Sequence, residues 1–217
     1  MATSSSPSNE AFSLSPLAFL ARHFAPPEES DVVRPATPTF LATGAIVFDR
    51  PSTETDPKIL LIRRAPHDSK PLLWETPGGG CDDTDESVLH SCARELKEEA
   101  GLEASVVGVV VPCPRASAEE NSKIAEVEAE WGQNLGGQFF FTRKGKLVCK
   151  FYFVVEVKPD QEVMVDPKEH VAHVWATEEE VRNKKIEGVE GVQLEFTTRE
   201  QFLVLLEAFE LRRKGEI

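Results

Sequence analysis

The part of this chain best suited to chemistry is an acidic stretch that follows three consecutive glycines. Gly78–Gly80 lead into a predicted helix that carries Arg94, Glu95, Glu98 and Glu99. The three glutamates stand at i, i+3 and i+4, where helical side chains are neighbours, so we expect their carboxylates to converge. Like charges at this spacing cost an isolated helix about 0.2–0.5 kcal/mol per pair. Either solvent screens an ordinary acidic face, or the carboxylates bind a hard divalent cation, which prefers oxygen ligands.

The helix that carries these acids is predicted over residues 84–100. Asp83 is the expected N-cap, and Glu86, three residues later, would complete a capping box. Gly101 suits the C-terminal cap. Apolar residues recur at spacings of three and four and commit one face to the core: Val88, Leu89, Cys92, Ala93, Leu96 and Ala100. The acidic residues therefore lie beside a core-facing stripe.

The whole stretch from Gly80 to Leu102 favours the cation-binding alternative. It reads Gly80, five residues, Glu86, seven residues, Arg94-Glu95-Leu96, Lys97, Glu98-Glu99, Ala100 and Gly101-Leu102. This resembles the box of the Nudix hydrolase family, GX5EX7REUXEEXGU with U aliphatic, at every fixed position. The preceding WETPGGG is similar to the family's usual lead-in, with a third glycine as a small departure.

The resemblance implies an α/β fold, a Nudix-type α/β/α sandwich around a mixed β-sheet. It implies Mg²⁺ or Mn²⁺ as cofactor, with Glu98 and Glu99 as principal ligands. Glu95 would be a further ligand or the base that activates water. A backbone carbonyl of Gly79 or Gly80 would complete the metal shell, and the extra glycine leaves open which of the two it is.

The resemblance also implies residues that orient the cluster and an acid from outside the box. Glu86 and Arg94 are implied as orienting residues of the catalytic set, because an arginine can hold a carboxylate by a bidentate bond. Glu169 is the candidate for the outside acid, and an ordinary loop acid is the alternative. His170 could act as a base, but we expect a surface histidine.

Substrate contacts are less strongly indicated, and each candidate has a structural alternative. Arg64 ends a predicted strand shortly before the glycines and could meet a phosphate, or it could simply face solvent. Trp74, Phe139 and Phe141 could stack on a base. Aromatic residues at strand spacing are more often core residues, which is the favoured interpretation here.

The implied activity is hydrolysis of a diphosphate joined to another moiety, with a nucleoside on one side as the leading hypothesis. A non-nucleotide diphosphate, such as an isoprenyl diphosphate, is the first alternative. A non-catalytic binding module on the same fold is the second. An aliphatic pocket poor in aromatic residues would favour the isoprenyl alternative.

Composition limits the partners of this chain. Its 217 residues carry a formal net charge of −13, which argues against a nucleic-acid polymer and against anionic membranes as partners. A small-molecule phosphate substrate remains compatible, because a bound cation reverses the local field. The four cysteines form no zinc-binding pattern and are expected to be free thiols, as in a reducing compartment. The chain is thus predicted to be cytoplasmic, and a homodimer stays open.

The chain divides into an N-terminal extension, residues 1–38, and a Nudix hydrolase domain, residues 39–217. The extension is polar and then weakly amphipathic, and Pro16 is expected to interrupt it. We expect it to pack loosely, so that removing residues 1–30 would leave the fold intact. A mitochondrial presequence is the less favoured alternative, because Arg22 is the only arginine before Arg34 and acids intrude.

Overall fold

The computed structural model of this chain describes residues 9–25, 36–49, 56–114, 122–131, 135–188 and 191–217. The strands are β1 (Phe40–Ile46), β2 (Lys58–Arg64), β3 (Trp74–Glu75), β4 (Ala104–Val111), β5 (Gln138–Phe141), β6 (Leu147–Val157) and β7 (His170–Thr177). A 3₁₀ turn, Asn9–Ser13, precedes the helices α1 (Pro16–His23), α2 (Val88–Ala100), α3 (Ser122–Trp131), α4 (Glu178–Asn183) and α5 (Arg199–Lys214).

The strands form two sheets, and one of them is mixed. In the first sheet β6 pairs in parallel with β1 along one edge, and antiparallel with β5 and then β4 along the other. In the second sheet β2 lies between β3 and β7, and both pairings are antiparallel. The predicted α/β fold with mixed strand pairing is therefore confirmed, although the strands divide over two sheets.

Helices cover these sheets and enclose two apolar clusters. Helix α2 packs on β1 and β4, and α5 packs against α4 and β4. The first cluster joins α2 to the first sheet, and the second gathers α5 with residues of both sheets, among them Ile59, Tyr152 and Phe209. In the described part of the chain, none of the helices is long and apolar enough to cross a membrane.

The N-terminal residues 9–24 belong to the core, so the expected loose packing is wrong. Phe12, Phe19 and Phe24 are at most 1 % exposed. The Phe12 ring lies 4.9 Å from the Phe151 ring and 5.0 Å from the Phe153 ring, both in the centre of β6. A separate domain boundary near residue 38 remains a prediction, but residues 9–24 share the domain's core.

The local sequence explains why this segment forms a helix despite its proline. Pro16 opens α1 and does not interrupt it, because the first turn of a helix needs no N–H from that residue. Ser15 caps the helix by accepting a hydrogen bond from the Ala18 N–H. The carbonyl of Leu14 accepts a bond of 3.0 Å from the N–H of Val88. The N-terminal segment therefore also satisfies one backbone donor at the start of α2.

Helix α2 begins later than predicted. It starts at Val88, and its N-cap is Ser87, whose hydroxyl accepts a bond of 3.0 Å from the His90 N–H. The predicted capping box of Asp83 and Glu86 is wrong, because residues 82–87 form turns in which a buried aspartate faces inward. The predicted cap at Gly101 is confirmed by its left-handed φ of 72°.

Other local predictions agree with the structure. The sequence predicts a hairpin turn at Lys144-Gly145, and β5 and β6 are joined there. The sequence also predicts a capping box of Thr177 and Glu180, and both of its bonds are present at the start of α4. The acidic stretch 115–135 is compatible in sequence with a helix over 117–131, and α3 lies there, while residues 115–121 and 132–134 lie outside the described part of the chain. Cys92 and Cys149 are buried free thiols, as expected.

Candidate active site

The glycine segment is held against β1 and faces α2. The N–H of Thr43 donates to the Gly79 carbonyl at 2.9 Å, and the N–H of Cys81 donates to the Leu41 carbonyl at 2.9 Å. Residues 77–81 therefore run beside β1 as an additional extended segment. These hydrogen bonds fix the position of the glycine backbone opposite α2.

Gly78 is the glycine that the backbone geometry requires most strongly. Its φ is +148°, and a Cβ there would clash with the carbonyl oxygen of Thr43 and lie 2.6 Å from the Gly44 Cα. The N–H of Gly78 donates to the Glu99 carboxylate at 2.6 Å in a buried position. A side chain at this residue would push the loop away from β1 and from Glu99.

The absence of a side chain has different consequences at Gly79 and at Gly80. A Cβ on Gly79 would lie 2.6 Å from the Glu95 carboxylate, so the missing side chain lets Glu95 reach the loop backbone. A Cβ on Gly80 would meet nothing within 4 Å. The Gly79 carbonyl already accepts from β1, and the Gly80 carbonyl accepts from Arg94 at 3.1 Å. Each keeps a second lone pair, so their predicted role toward a metal stays a prediction.

Arg94 is the centre of an ionic network, and its main partner is Asp85. The guanidinium donates to both Asp85 oxygens at 2.9 and 3.0 Å, and through Nη1 to Glu95 at 2.9 Å and Glu98 at 2.8 Å. Asp85 is 4 % exposed and also accepts from the Ser91 hydroxyl at 2.6 Å. Burial raises the pKa of Asp85, but the bonds from Arg94 and Ser91 outweigh it and hold that pKa well below its usual range.

The carboxylate that Arg94 holds by a bidentate bond is thus Asp85, the neighbour of Glu86, and the orienting role of Glu86 stays a prediction. Glu86 is exposed, and none of the hydrogen bonds found among the described residues involves its carboxylate. A helix beginning at residue 84 would include Asp85, so the sequence pattern did not indicate that Asp85 pairs with Arg94. The actual cap at Ser87 was the available signal, since serine is a preferred N-cap residue.

The three glutamates of the helix are not equivalent. Glu95 and Glu98 share Nη1 of Arg94, and the Glu98 side chain is 58 % exposed. Glu99 is 6 % exposed and faces the glycine segment. Burial raises the pKa of Glu99 to about 8, with the charges of Glu75 and Glu95 adding to it and the Gly78 N–H opposing. Burial likewise raises the pKa of Glu95, against the lowering effect of Arg94.

Glu169 and His170 complete the arrangement from the opposite side. Donor atoms of Glu99, Glu169 and His170 lie within 4.8 Å of one another. His170 is 1 % exposed, so the expected surface histidine is wrong. The loop before β7 is tied to the end of α2 by bonds from the Met164 N–H to the Ala100 carbonyl and from the Asp166 N–H to the Glu99 carbonyl. That loop brings the two residues to Glu99, and nothing in the local sequence signals it.

Glu75 is a second buried acid next to this cluster, and no pattern in the sequence indicates it. Glu75 forms an ion pair with Arg64, and its carboxylate oxygen lies 3.3 Å from Nε2 of His170. Burial raises the pKa of Glu75, but the bond to His170 and the charges of Lys150 and Arg64 bring it below its ordinary value. Arg64 also pairs with Asp68 at 2.5 Å. Arg64 is therefore engaged by two carboxylates.

A cavity of about 510 Å³ opens beside the glycine segment and Glu75. Three cationic residues line it: Arg64, Lys70 and Lys150. Aromatic side chains line another part: Phe40, Phe140, Phe141 and Tyr152. The Lys150 ammonium lies 5.1 Å from the centre of the Tyr152 ring, and within the described residues it forms neither a hydrogen bond nor an ion pair. An unpaired ammonium next to aromatic faces suits an anionic ligand that carries a flat ring.

Two aromatic candidates from the sequence are core residues. Trp74 is 2 % exposed, donates through Nε1 to the Gln193 carbonyl at 2.9 Å and does not line the cavity. Phe139 is 3 % exposed and packs in the first apolar cluster. Phe141 is the one of the three that reaches the cavity wall.

The residues present fit a divalent cation. Glu99 and Glu169 supply carboxylate oxygens and His170 a ring nitrogen within reach of one centre, and Glu95 lies close by, next to Gly79. Oxygen donors suit Mg²⁺ and Mn²⁺, and an imidazole nitrogen raises the affinity for first-row transition metals more than the affinity for Mg²⁺.

Known proteins resemble this chain at both the sequence and the structural level. The family profile described as the NUDIX domain matches residues 38–196. A CTP pyrophosphohydrolase of Escherichia coli (strain K12) is 45 % identical over 53 residues, which is 24 % of this chain and 38 % of that relative. The matched segment thus spans little more than a third of that curated relative.

Solved structures show the same fold. A NUDIX hydrolase from Nitrosomonas europaea is similar with a TM-score of 0.51 and 17 % identity, covering 80 % of this chain and 90 % of that one. An Ap4A hydrolase of C. elegans has a TM-score of 0.51 and 16 % identity, covering 82 % and 99 %. At these identities the likeness shows the fold alone.

Proposed function

Because this chain belongs to the NUDIX domain family, we propose that it is a divalent-metal-dependent pyrophosphohydrolase. Its substrate is a nucleoside diphosphate linked to another moiety, or a related nucleotide. The observation that carries the proposal is the buried Glu99 carboxylate, held by the Gly78 N–H and close to Glu169, beside a cavity with both cationic and aromatic walls.

The residues divide into those that hold the cation and those that hold the carboxylates. Glu99 and Glu169 would hold Mg²⁺ or Mn²⁺, together with the predicted ligands Glu95 and Glu98. When bound, the cation neutralises diphosphate charge and lowers the pKa of a coordinated water. Arg94 fixes the direction of the Glu95 carboxylate, which is the candidate for accepting the proton of the attacking water.

The cavity favours a nucleotide over an isoprenyl diphosphate. Lys150 is the candidate for meeting a phosphate, since its ammonium forms no hydrogen bond or ion pair with the described residues, and Lys70 lines the same wall. Phe140 and Phe141, which are half-buried on the cavity wall, offer apolar faces for a base. The relative named for CTP acts on a nucleotide according to its name, which agrees with this choice.

A substrate panel tests the proposal. The full chain is incubated with ADP-ribose, NADH, dinucleoside polyphosphates, oxidised dNTPs, CoA and isoprenyl diphosphates, each with Mg²⁺ and with Mn²⁺, and the products are identified. We expect cleavage of a nucleotide diphosphate bond that is lost in Glu99→Gln and kept in Glu162→Gln, an exposed acid outside the site. Tight binding of a nucleotide without any turnover would support the binding-module alternative and overturn the proposal.

A further inference from the structure

The ring of His170 has one nitrogen that the surrounding protein leaves without a partner. The side chain is 1 % exposed. Its Nε2 lies 3.3 Å from the Glu75 carboxylate, whereas its Nδ1 is buried and has no hydrogen-bond partner among the described residues. Buried polar atoms in native proteins are almost always paired, so this nitrogen calls for an explanation.

The partner of Nε2 decides what Nδ1 can do. Glu75 also forms an ion pair with Arg64, and an ionised carboxylate only accepts hydrogen bonds. Nε2 therefore carries the proton, and in a neutral ring Nδ1 is left with an exposed lone pair. A lone pair buried in this way is satisfied by a donor or by a metal ion.

The surroundings of the ring favour a metal ion over a donor. Two carboxylates, Glu99 and Glu169, have an oxygen within 4.8 Å of a nitrogen of the ring and of each other. Two ligands on one ion at bond lengths of about 2.1 Å lie about 3 Å apart when adjacent and about 4.2 Å when opposite. Small side-chain rotations would bring the three donors into one shell.

We propose that His170 binds the catalytic metal through Nδ1, together with Glu99 and Glu169, and that Glu75 acts as a positioning residue that fixes the tautomer and the plane of the ring. The inference deepens the proposed function and rests on its metal site. A metal-bound histidine typically donates its other N–H to a carboxylate, and that is the relation between His170 and Glu75.

The arrangement of strands supports a prepositioned ring. Arg64 on β2 is the cross-strand neighbour of His170 on β7, and Glu75 on β3 pairs with the next-but-one residue of β2, Ile62. Three neighbouring strands thus hold the donor, the carboxylate and the arginine. Ligands on strands are placed more precisely than ligands on loops.

A nitrogen ligand changes which cation the site prefers. Imidazole suits Mn²⁺, Co²⁺ and Zn²⁺ better than Mg²⁺, which keeps to oxygen. The structure therefore leads us to expect that His170 contributes strongly to the affinity for the transition metals and little to the affinity for Mg²⁺.

The test measures metal binding without substrate. The EDTA-treated full chain is titrated with Mn²⁺, Co²⁺ and Mg²⁺ by calorimetry, and Co²⁺ is also followed by its visible absorption. His170→Gln is compared with His173→Gln, an exposed histidine on the same strand. Changing an outer-shell partner already costs about 10–100-fold in metal affinity, so we expect loss of the ligand in His170→Gln to weaken Mn²⁺ and Co²⁺ binding at least about 10-fold and Mg²⁺ binding by much less. His173→Gln should leave all three affinities unchanged.

A second measurement uses the wild-type chain, so it does not depend on the variant folding. With ¹⁵N-labelled histidine, Zn²⁺ should shift the Nδ1 resonance of one of the five histidines, and Mg²⁺ should not. Equal affinities for a folded His170→Gln and His173→Gln, or no histidine shift with Zn²⁺, would overturn the proposal. Metal binding through His170 without nucleotide hydrolysis would instead overturn only the proposed function.

Discussion

Replacing Phe12 by alanine should destabilise the protein as much as a mutation in the centre of its core. Phe12 is 0 % exposed although it lies far from the family motif. Its ring contacts the rings of Phe19 at 5.3 Å, Phe151 at 4.9 Å and Phe153 at 5.0 Å. The substitution removes these contacts and leaves a cavity between α1 and β6.

The expected cost follows from the burial. A buried Phe→Ala change costs about 3–5 kcal/mol, and three aromatic neighbours place Phe12 in the upper part of that range. For a chain of this length 1 kcal/mol shifts the Tm by about 2–4 °C. With about 4–5 kcal/mol, we therefore expect Phe12→Ala to lower the Tm by about 8–20 °C.

Thermal unfolding followed by circular dichroism, in EDTA, measures this shift without any contribution from bound metal. Leu17→Ala is the matched control, because Leu17 lies on α1 but is 55 % exposed. The control should stay within about 0.5 kcal/mol of the wild type, which is at most about 2 °C. If the two variants melt together near the wild-type temperature, the N-terminal segment does not pack on β6 and the burial argument is wrong.

The remaining predictions concern the site. EDTA should abolish hydrolysis. Raised Mn²⁺ should partly restore the activity of Glu99→Gln but not that of Glu95→Gln, because metal occupancy can be restored by mass action whereas a lost proton acceptor cannot. Measuring kcat against metal concentration checks this. Asp85→Asn should cost about 1–3 kcal/mol in urea unfolding, and Glu86→Gln less than about 0.5 kcal/mol. The pKa of Asp85 is lower in the folded protein than in the unfolded chain. Its ionised form therefore stabilises the fold above a pH of about 3.9, and this stabilisation is lost as the pH falls through the folded pKa. Wild type and Asp85→Asn should thus converge in stability at low pH. Lys150→Met should raise KM more than it lowers kcat, and an unchanged KM would remove Lys150 from the phosphate site.

Local spacing in the sequence was sufficient for several features of the fold. The helix with Glu95 and Glu99 on neighbouring turns and the cap at Gly101 agree with the structure. Each of these depends on residues a few positions apart, and helix and strand geometry alone sets their relation. The family motif could be identified for the same reason, because all its positions lie within 23 residues of one another.

The tertiary structure decided which of these residues meet partners from far along the chain. Asp85 and not Glu86 pairs with Arg94, because the turn before Ser87 points the shorter acid inward. Trp74 is held by the Gln193 carbonyl, 119 positions away, which removes it from the cavity. No periodicity in the neighbouring sequence distinguishes these outcomes from their alternatives.

Burial is the physical reason for the difference. His170 and Phe12 lie in polar or weakly patterned segments, and each is buried only because strands and helices from distant parts of the chain cover it. The environment of a side chain, and with it the pKa of Glu99 or the free lone pair of His170, depends on those long-range contacts. The sequence by itself determined the chemical groups and their order, and only the packing of α2, the glycine segment and β7 decided which groups face one another.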